Sequence, residues 1–133
     1  LIARALAQEP KLLLLDEPTA NLDIRHQIKI LELIRKLVDS QSLTALMVIH
    51  DLNLAARFCT KLILLHNGRV HAAGKADEVI TVENLADAYG VSTCIDYNAR
   101  AGGLQVSAIE CLPEKQTSSS QNRRSGSDME EVS

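Results

Sequence analysis

The stretch KLLLLDEP at residues 11–18 decides how the rest of the chain is read. Four leucines, Leu12 to Leu15, run without interruption and stop at Asp16, Glu17 and Pro18. A short apolar run closed by a breaker predicts a strand buried on both faces, as in the centre of a parallel sheet. Asp16 and Glu17 then stand at the carboxyl end of that strand, where open α/β sheets bind their ligands. Two adjacent carboxylates at such a place can divide two tasks. One can hold a magnesium ion, which prefers oxygen ligands and keeps several waters. The other can orient or deprotonate a water for attack on phosphorus. A plainer reading, two carboxylates opening a solvated turn before Pro18, is weakened by the leucines before them.

Outward from this stretch the pattern alternates. Residues 1–9 (LIARALAQE) are good helix formers and stop at Pro10. Residues 19–23 (TANLD) read as a loop, with Asp23 placed to cap the next helix. Ile28, Leu31, Ile34 and Val38 keep helical spacing, and Ile30, Leu33 and Leu37 widen that stripe, predicting a well-covered helix. Leu43 to Ile49 (LTALMVI) reads as a second central strand that ends at His50 and Asp51. If the two strands are neighbours, His50 and Glu17 face one crevice, and the histidine can donate to a phosphate oxygen or a positioned water. His26, His66 and His71 have no comparable partner in the sequence and read as surface or core residues. Asp51 is placed to cap a helix over Leu52–Phe58. Leu62 to Leu65 is a third apolar run, and Asn67-Gly68 separates it from Arg69–Ala73 as a hairpin turn does. Strand, helix, strand, helix, strand, hairpin is the order of an α/β fold with a parallel centre. Farther on, a helix is expected over Val82–Tyr89, capped by Thr81 and followed by Gly90. Leu104–Ile109 alternates like an edge strand. From Pro113 the composition becomes polar and low in complexity, which predicts disorder over 113–133.

The composition excludes several classes. The 133 residues carry fourteen Lys and Arg against seventeen Asp and Glu, a net charge of −3, which argues against a nucleic-acid partner. Two Tyr, one Phe and no Trp leave little to stack bases on. No apolar run approaches the roughly 18 residues of a membrane span, and no signal peptide is evident. Cys59, Cys94 and Cys111 are widely spaced and odd in number, so buried free thiols in a reducing compartment are expected rather than disulfides or a zinc site. The chain opens on Leu1 rather than Met, in what reads as helix, so a fragment of a longer chain is expected.

LLLLDEPTANLD followed by VIHDL resembles the second half of the nucleotide-binding domain of ATP-binding-cassette (ABC) proteins. The resemblance covers about residues 1–90. It implies that Asp16 serves the magnesium ion and that Glu17 is the catalytic carboxylate at the end of the family's Walker B strand. It implies that Ala20–Asp23 is the loop crossing the interface between two such domains, making Asn21 and Asp23 candidate nucleotide-side residues. His50 matches the switch histidine that contacts the γ-phosphate, and LIARALAQEP matches the helix after the LSGGQ signature. A narrower similarity, carried by DIRHQIKILELIRKL, HDLNLAARFCTKLILLHNGRV and TVENLADAYGV, is to ATPases of importers for iron–siderophores, haem and cobalamin. Thr60 departs from the Asp common there.

A phosphate-cradling GxxxxGK[ST] loop is not found in the sequence. The one Gly-Lys, Gly74-Lys75, is followed by Ala76 and has Arg69 where the first glycine belongs. The glutamine loop and LSGGQ are not found either. The resemblance therefore implies a P-loop NTPase-like three-layer ABC ATPase fold whose N-terminal half is missing. Residues 1–90 would be the nucleotide-binding half, 91–112 a small accessory element and 113–133 a disordered tail. It implies ATP and Mg2+ as cofactors, a second ATPase subunit and transmembrane permeases as partners, and a place on the cytoplasmic face of the membrane. A soluble, non-transport ABC ATPase and a non-catalytic half-domain are the alternatives.

Overall fold

The computed structural model describes residues 10–113. The helix expected over residues 1–9 and the tail from residue 114 lie outside them. Strand β1 (Leu12–Asp16) pairs in parallel with β2 (Thr44–Val48), Leu12 facing Thr44 and Asp16 facing Val48. Helix α1 (Ile24–Gln41) makes the crossover between them. It starts at Asp23, whose carboxylate accepts from the His26 amide, and stops at Ser42 in the left-handed region (φ 50°).

The inward stripe of α1 is the one its spacing foretells. Leu31 and Ile34 are each 1% exposed, and Ile28 and Val38 are half-buried beside them. The widened stripe is not covered as expected, since Leu33 is exposed. The two-sided burial expected of β1 is also corrected. Leu13 is buried, but Leu12 and Leu14 are 53% and 67% exposed. Side chains alternate across a strand, and among the described residues only one face of the β1–β2 pair is covered. Leu46 and Val48 lie open beside Leu12 and Leu14 for the same reason.

Helix α2 (Leu52–Phe58) follows β2 and begins at Asp51, which accepts from the amides of Asn53 and Leu54. Strands β3 (Leu62–His66) and β4 (Arg69–Gly74) form an antiparallel hairpin. Asn67 (φ 50°) and Gly68 (φ 70°) both adopt positive φ at its turn, the geometry that matches strand twist. A bulge between Leu64 and Leu65 leaves His71 as the extra residue of β4. Helix α3 (Ala76–Val79), which the sequence does not announce, and α4 (Val82–Tyr89) follow. Thr81 caps α4 through the Asn84 amide, and Gly90 (φ 65°) ends it. Val79, Ile80 and Leu85, buried to 3% exposure or less, form a second core.

The last elements are β5 (Val91–Asn98) and β6 (Gly103–Cys111), antiparallel to each other. The edge strand foreseen at 104–109 thus has a partner the sequence did not single out. Among the described residues the strands pair two by two, in three sheets, rather than in one continuous sheet. The cysteine expectation is corrected as well: Cys94 and Cys111 are exposed and Cys59 is half-buried. Burial raises the Cys59 thiol pKa. That of Cys94 is raised by its hydrogen bond to the Asp96 carboxylate.

Candidate functional site

Parallel pairing of β1 with β2 brings the two strand ends together. Glu17, one residue past β1, and His50, just past β2, meet there: His50 Nε2 lies 2.7 Å from Glu17 Oε1. A carboxylate can only accept, so the imidazole carries its proton on Nε2 in this contact. Both side chains are solvent-accessible, at 78% for His50 and 46% for Glu17.

The loop after β1 presents Glu17 by an unusual backbone. Glu17 itself sits at φ 46° and Asn21 at φ 59°, both left-handed without being glycine. Such conformations cost about 1–2 kcal/mol per residue and gather at functional sites. The loop is held by the Ala20 amide on the Glu17 carbonyl (3.0 Å) and by the Leu22 amide on the Thr19 carbonyl (3.4 Å). From α1 the Gln27 side-chain amide donates to the same Thr19 carbonyl at 3.3 Å. Gln27 was not foreseen. Its only sequence signal is its place in the first turn of the helix that follows the loop.

A cleft of about 180 Å³ opens between the strand ends, with Glu17, Asn21, His50 and Asp51 on its walls. Asp16 and Asp23 are not among its lining residues. Asp16 ends β1 with its side chain exposed. Asp23 is engaged elsewhere. It caps α1 through the His26 amide at 2.9 Å and meets the His26 ring Nδ1 at 2.8 Å. The amide hydrogen bond first, then the ring, holds the Asp23 carboxyl below its ordinary range. His26 therefore has a carboxylate partner, contrary to expectation. His66 has the Asn67 side-chain amide at 3.0 Å and the His71 ring edge-on at 6.1 Å.

Among the described residues no three His, Cys, Asp or Glu side chains gather as a metal cage. Magnesium does not need one. It is usually held by one or two carboxylates, with phosphate oxygens and waters completing the shell. The exposed Asp16 carboxylate at the strand end, with Glu17 next to it, fits that donor set.

No protein-family profile matches the chain. Individual relatives do. The chain is 43% identical over 109 residues to a cobalamin import ATP-binding protein of Halobacterium salinarum, covering 82% of this chain and 27% of the relative. It is 47% identical over 97 residues to a hemin import ATP-binding protein of Agrobacterium fabrum, covering 67% of this chain and 37% of the relative. Among solved structures, an inward-facing transporter described as of the metal-chelate ABC type superposes with a TM-score of 0.73 at 30% identity. That match covers 83% of this chain and 44% of the other. A dimeric ATP-binding cassette, MJ0796, bound to ADP and Pi superposes with a TM-score of 0.52 at 41% identity, over 56% of this chain and 32% of that one. The chain thus spans roughly a quarter to two fifths of the length of these curated relatives. Its fold is part of an ABC ATPase fold.

Proposed function

This chain is a homologue of the ATP-binding subunits of ABC transporters, and from that premise we propose that it carries the water-activating half of an ATP-hydrolysis site. The observation that supports the reading most is the 2.7 Å contact between His50 and Glu17 at the ends of two parallel strands. Each group satisfies the other on the wall of the cleft. With ATP bound, His50 turns its Nε2 proton toward a terminal phosphate oxygen, and the Glu17 carboxylate is freed to accept from the attacking water. Asp16 would help to hold Mg2+, which when bound would supply charge neutralisation at the phosphate oxygens. Asn21 and Asp23 lie on the loop that faces a second copy, so hydrolysis at two sites is coupled through it.

The wider assignment follows the same premise. The complete protein works as a dimer with permease subunits at the cytoplasmic face of the membrane. It drives import of an iron–siderophore, haem or cobalamin, the cargo class named in its relatives. Residues 1–90 form the nucleotide-binding half in this reading, 91–112 an accessory element and 113–133 a tail.

Glu17→Gln in the complete protein tests the site. Turnover should fall at least about a hundredfold, the usual worth of a positioned base, while ATP is still bound. Near-normal hydrolysis would remove Glu17 from the role. The 133-residue chain by itself should hydrolyse ATP barely above background, because its sequence shows no GxxxxGK[ST] loop to cradle the phosphates. Robust turnover by the purified chain, measured by phosphate release, would contradict this.

A further inference from the structure

The helix that leaves His50 is clamped from its far side by the C-terminal hairpin. Asn53, on the first turn of α2, has a side-chain amide with one donor and one acceptor end. Both are spent on a single residue of β6. Asn53 Oδ1 accepts from the Val106 amide at 2.6 Å, and Asn53 Nδ2 donates to the Val106 carbonyl at 3.3 Å. A side-chain amide is thus bound as a neighbouring strand would be, across 53 residues of sequence. The Val106 amide has one proton, and Asn53 takes it.

A second contact lies one helical turn on. A Cβ built on Gly103, at the start of β6, would come within 3.4 Å of the Ala56 carbonyl oxygen and the Arg57 Cα. The hairpin backbone therefore lies directly against the backbone of α2. Asn53, Ala56 and Arg57 are spaced i, i+3, i+4, so one face of the helix takes both contacts. On the other side of Asn53, its own backbone amide is held by Asp51, the residue next to His50. The chain from His50 through the Asp51 cap to Asn53 and β6 is continuous.

We propose that Asn53 is a positioning residue for His50, and that the β5–β6 hairpin, through it, sets how the imidazole meets Glu17 and the nucleotide. This rests on the reading of His50 given above. The hairpin is then the lever through which anything binding to residues 91–111 alters turnover without touching the cleft.

The test compares Asn53→Ala, His50→Ala and the double variant in the complete protein. Asn53→Ala removes both bonds to Val106, so kcat should fall roughly tenfold or more while KM for ATP stays within about twofold, since misplacement by a full ångström costs up to about a hundredfold and a smaller shift proportionately less. The Val106 amide should exchange faster with solvent in Asn53→Ala and unchanged in His50→Ala. In the double variant Asn53→Ala should add nothing to the loss caused by His50→Ala. Gly103→Val, whose Cβ already fills the space to the α2 backbone so that its γ-methyls must press on it, leaves Asn53 in place and should repeat the kcat loss. An Asn53→Ala protein that melts lower but turns over normally, or losses that simply add, would overturn the positioning role and leave the reading of His50 standing. If His50→Ala itself turns over normally, the reading of His50 falls, and the positioning role falls with it.

Discussion

At Asp23 a single carboxylate meets both the backbone amide and the ring of His26, at 2.9 and 2.8 Å. The cap and the charge can be separated by substitution. Asparagine caps a helix about as well as aspartate, and alanine does not cap at all. Asp23→Ala should therefore lower the melting temperature by a few degrees, while Asp23→Asn should leave it nearly unchanged. Equal losses from both would show that the ring contact, not the cap, matters. The pH dependence has a definite sign. The Asp23 carboxyl is depressed in the folded protein relative to its ordinary 3.8. Its contribution is then complete above that value and disappears as pH falls below it through the folded value. Protection of the His26 amide, its exchange rate measured against the intrinsic rate at each pH, should decline from pH 5 to pH 2 in the native sequence and not in Asp23→Asn. The residues of the cleft were legible for a similar reason: Glu17 and His50 each follow an apolar run, so their positions at strand ends could be read. The left-handed φ of Glu17 could not, because nothing in Asp-Glu-Pro calls for it.

Among the elements, the hairpin turn carries the most local prediction. Gly68 sits at φ 70° with open space where a Cβ would go, so alanine there meets backbone strain and no clash. Gly68→Ala should cost about 1 kcal/mol or more, read from urea unfolding. A neutral substitution would mean that the turn relaxes to another type. The elements with strong punctuation were those the sequence revealed best. Leu52–Phe58 and Val82–Tyr89 have Asp51 and Thr81 before them and were located to the residue. Strand β5 is not announced because VSTCIDYN mixes polar and apolar residues without regular alternation, and the glycine of its turn comes late, at Gly102, next to Gly103 at the start of β6. Helix α3 was missed because its four residues are too few to show a period. The Asn53 clamp was invisible for another reason. Its partner is a backbone amide fifty-three residues away, and backbone groups leave no trace in a sequence.

At the scale of the molecule, the open leucines dominate. Leu12, Leu14, Leu46 and Val48 are all about half exposed or more, and Leu14 stands opposite Leu46 in the register. Ile63, Leu65 and Val70 extend the count on the β3–β4 hairpin. Contiguous apolar surface of this kind drives association. The purified chain should therefore elute as a species larger than its 14.5 kDa and should bind a hydrophobic dye. Leu14→Lys with Leu46→Lys should reduce both. A dye-silent monomer of the native sequence would contradict the exposure of that face. The one-sided burial also explains why β1 misled: four leucines in a row predict two covered faces, and composition does not say which elements do the covering. The parallel pairing has a kinetic consequence too. Strands β3 and β4, and β5 and β6, are joined by short turns, whereas β1 and β2 meet only across the whole of α1. Chain entropy makes distant closures slow and late. The Glu17–His50 contact, spanning 33 residues, is then assembled after both hairpins. A nascent or nicked chain that has already formed its hairpins can still lack the proposed site, because the last event of folding is also the one that draws the two strand ends together.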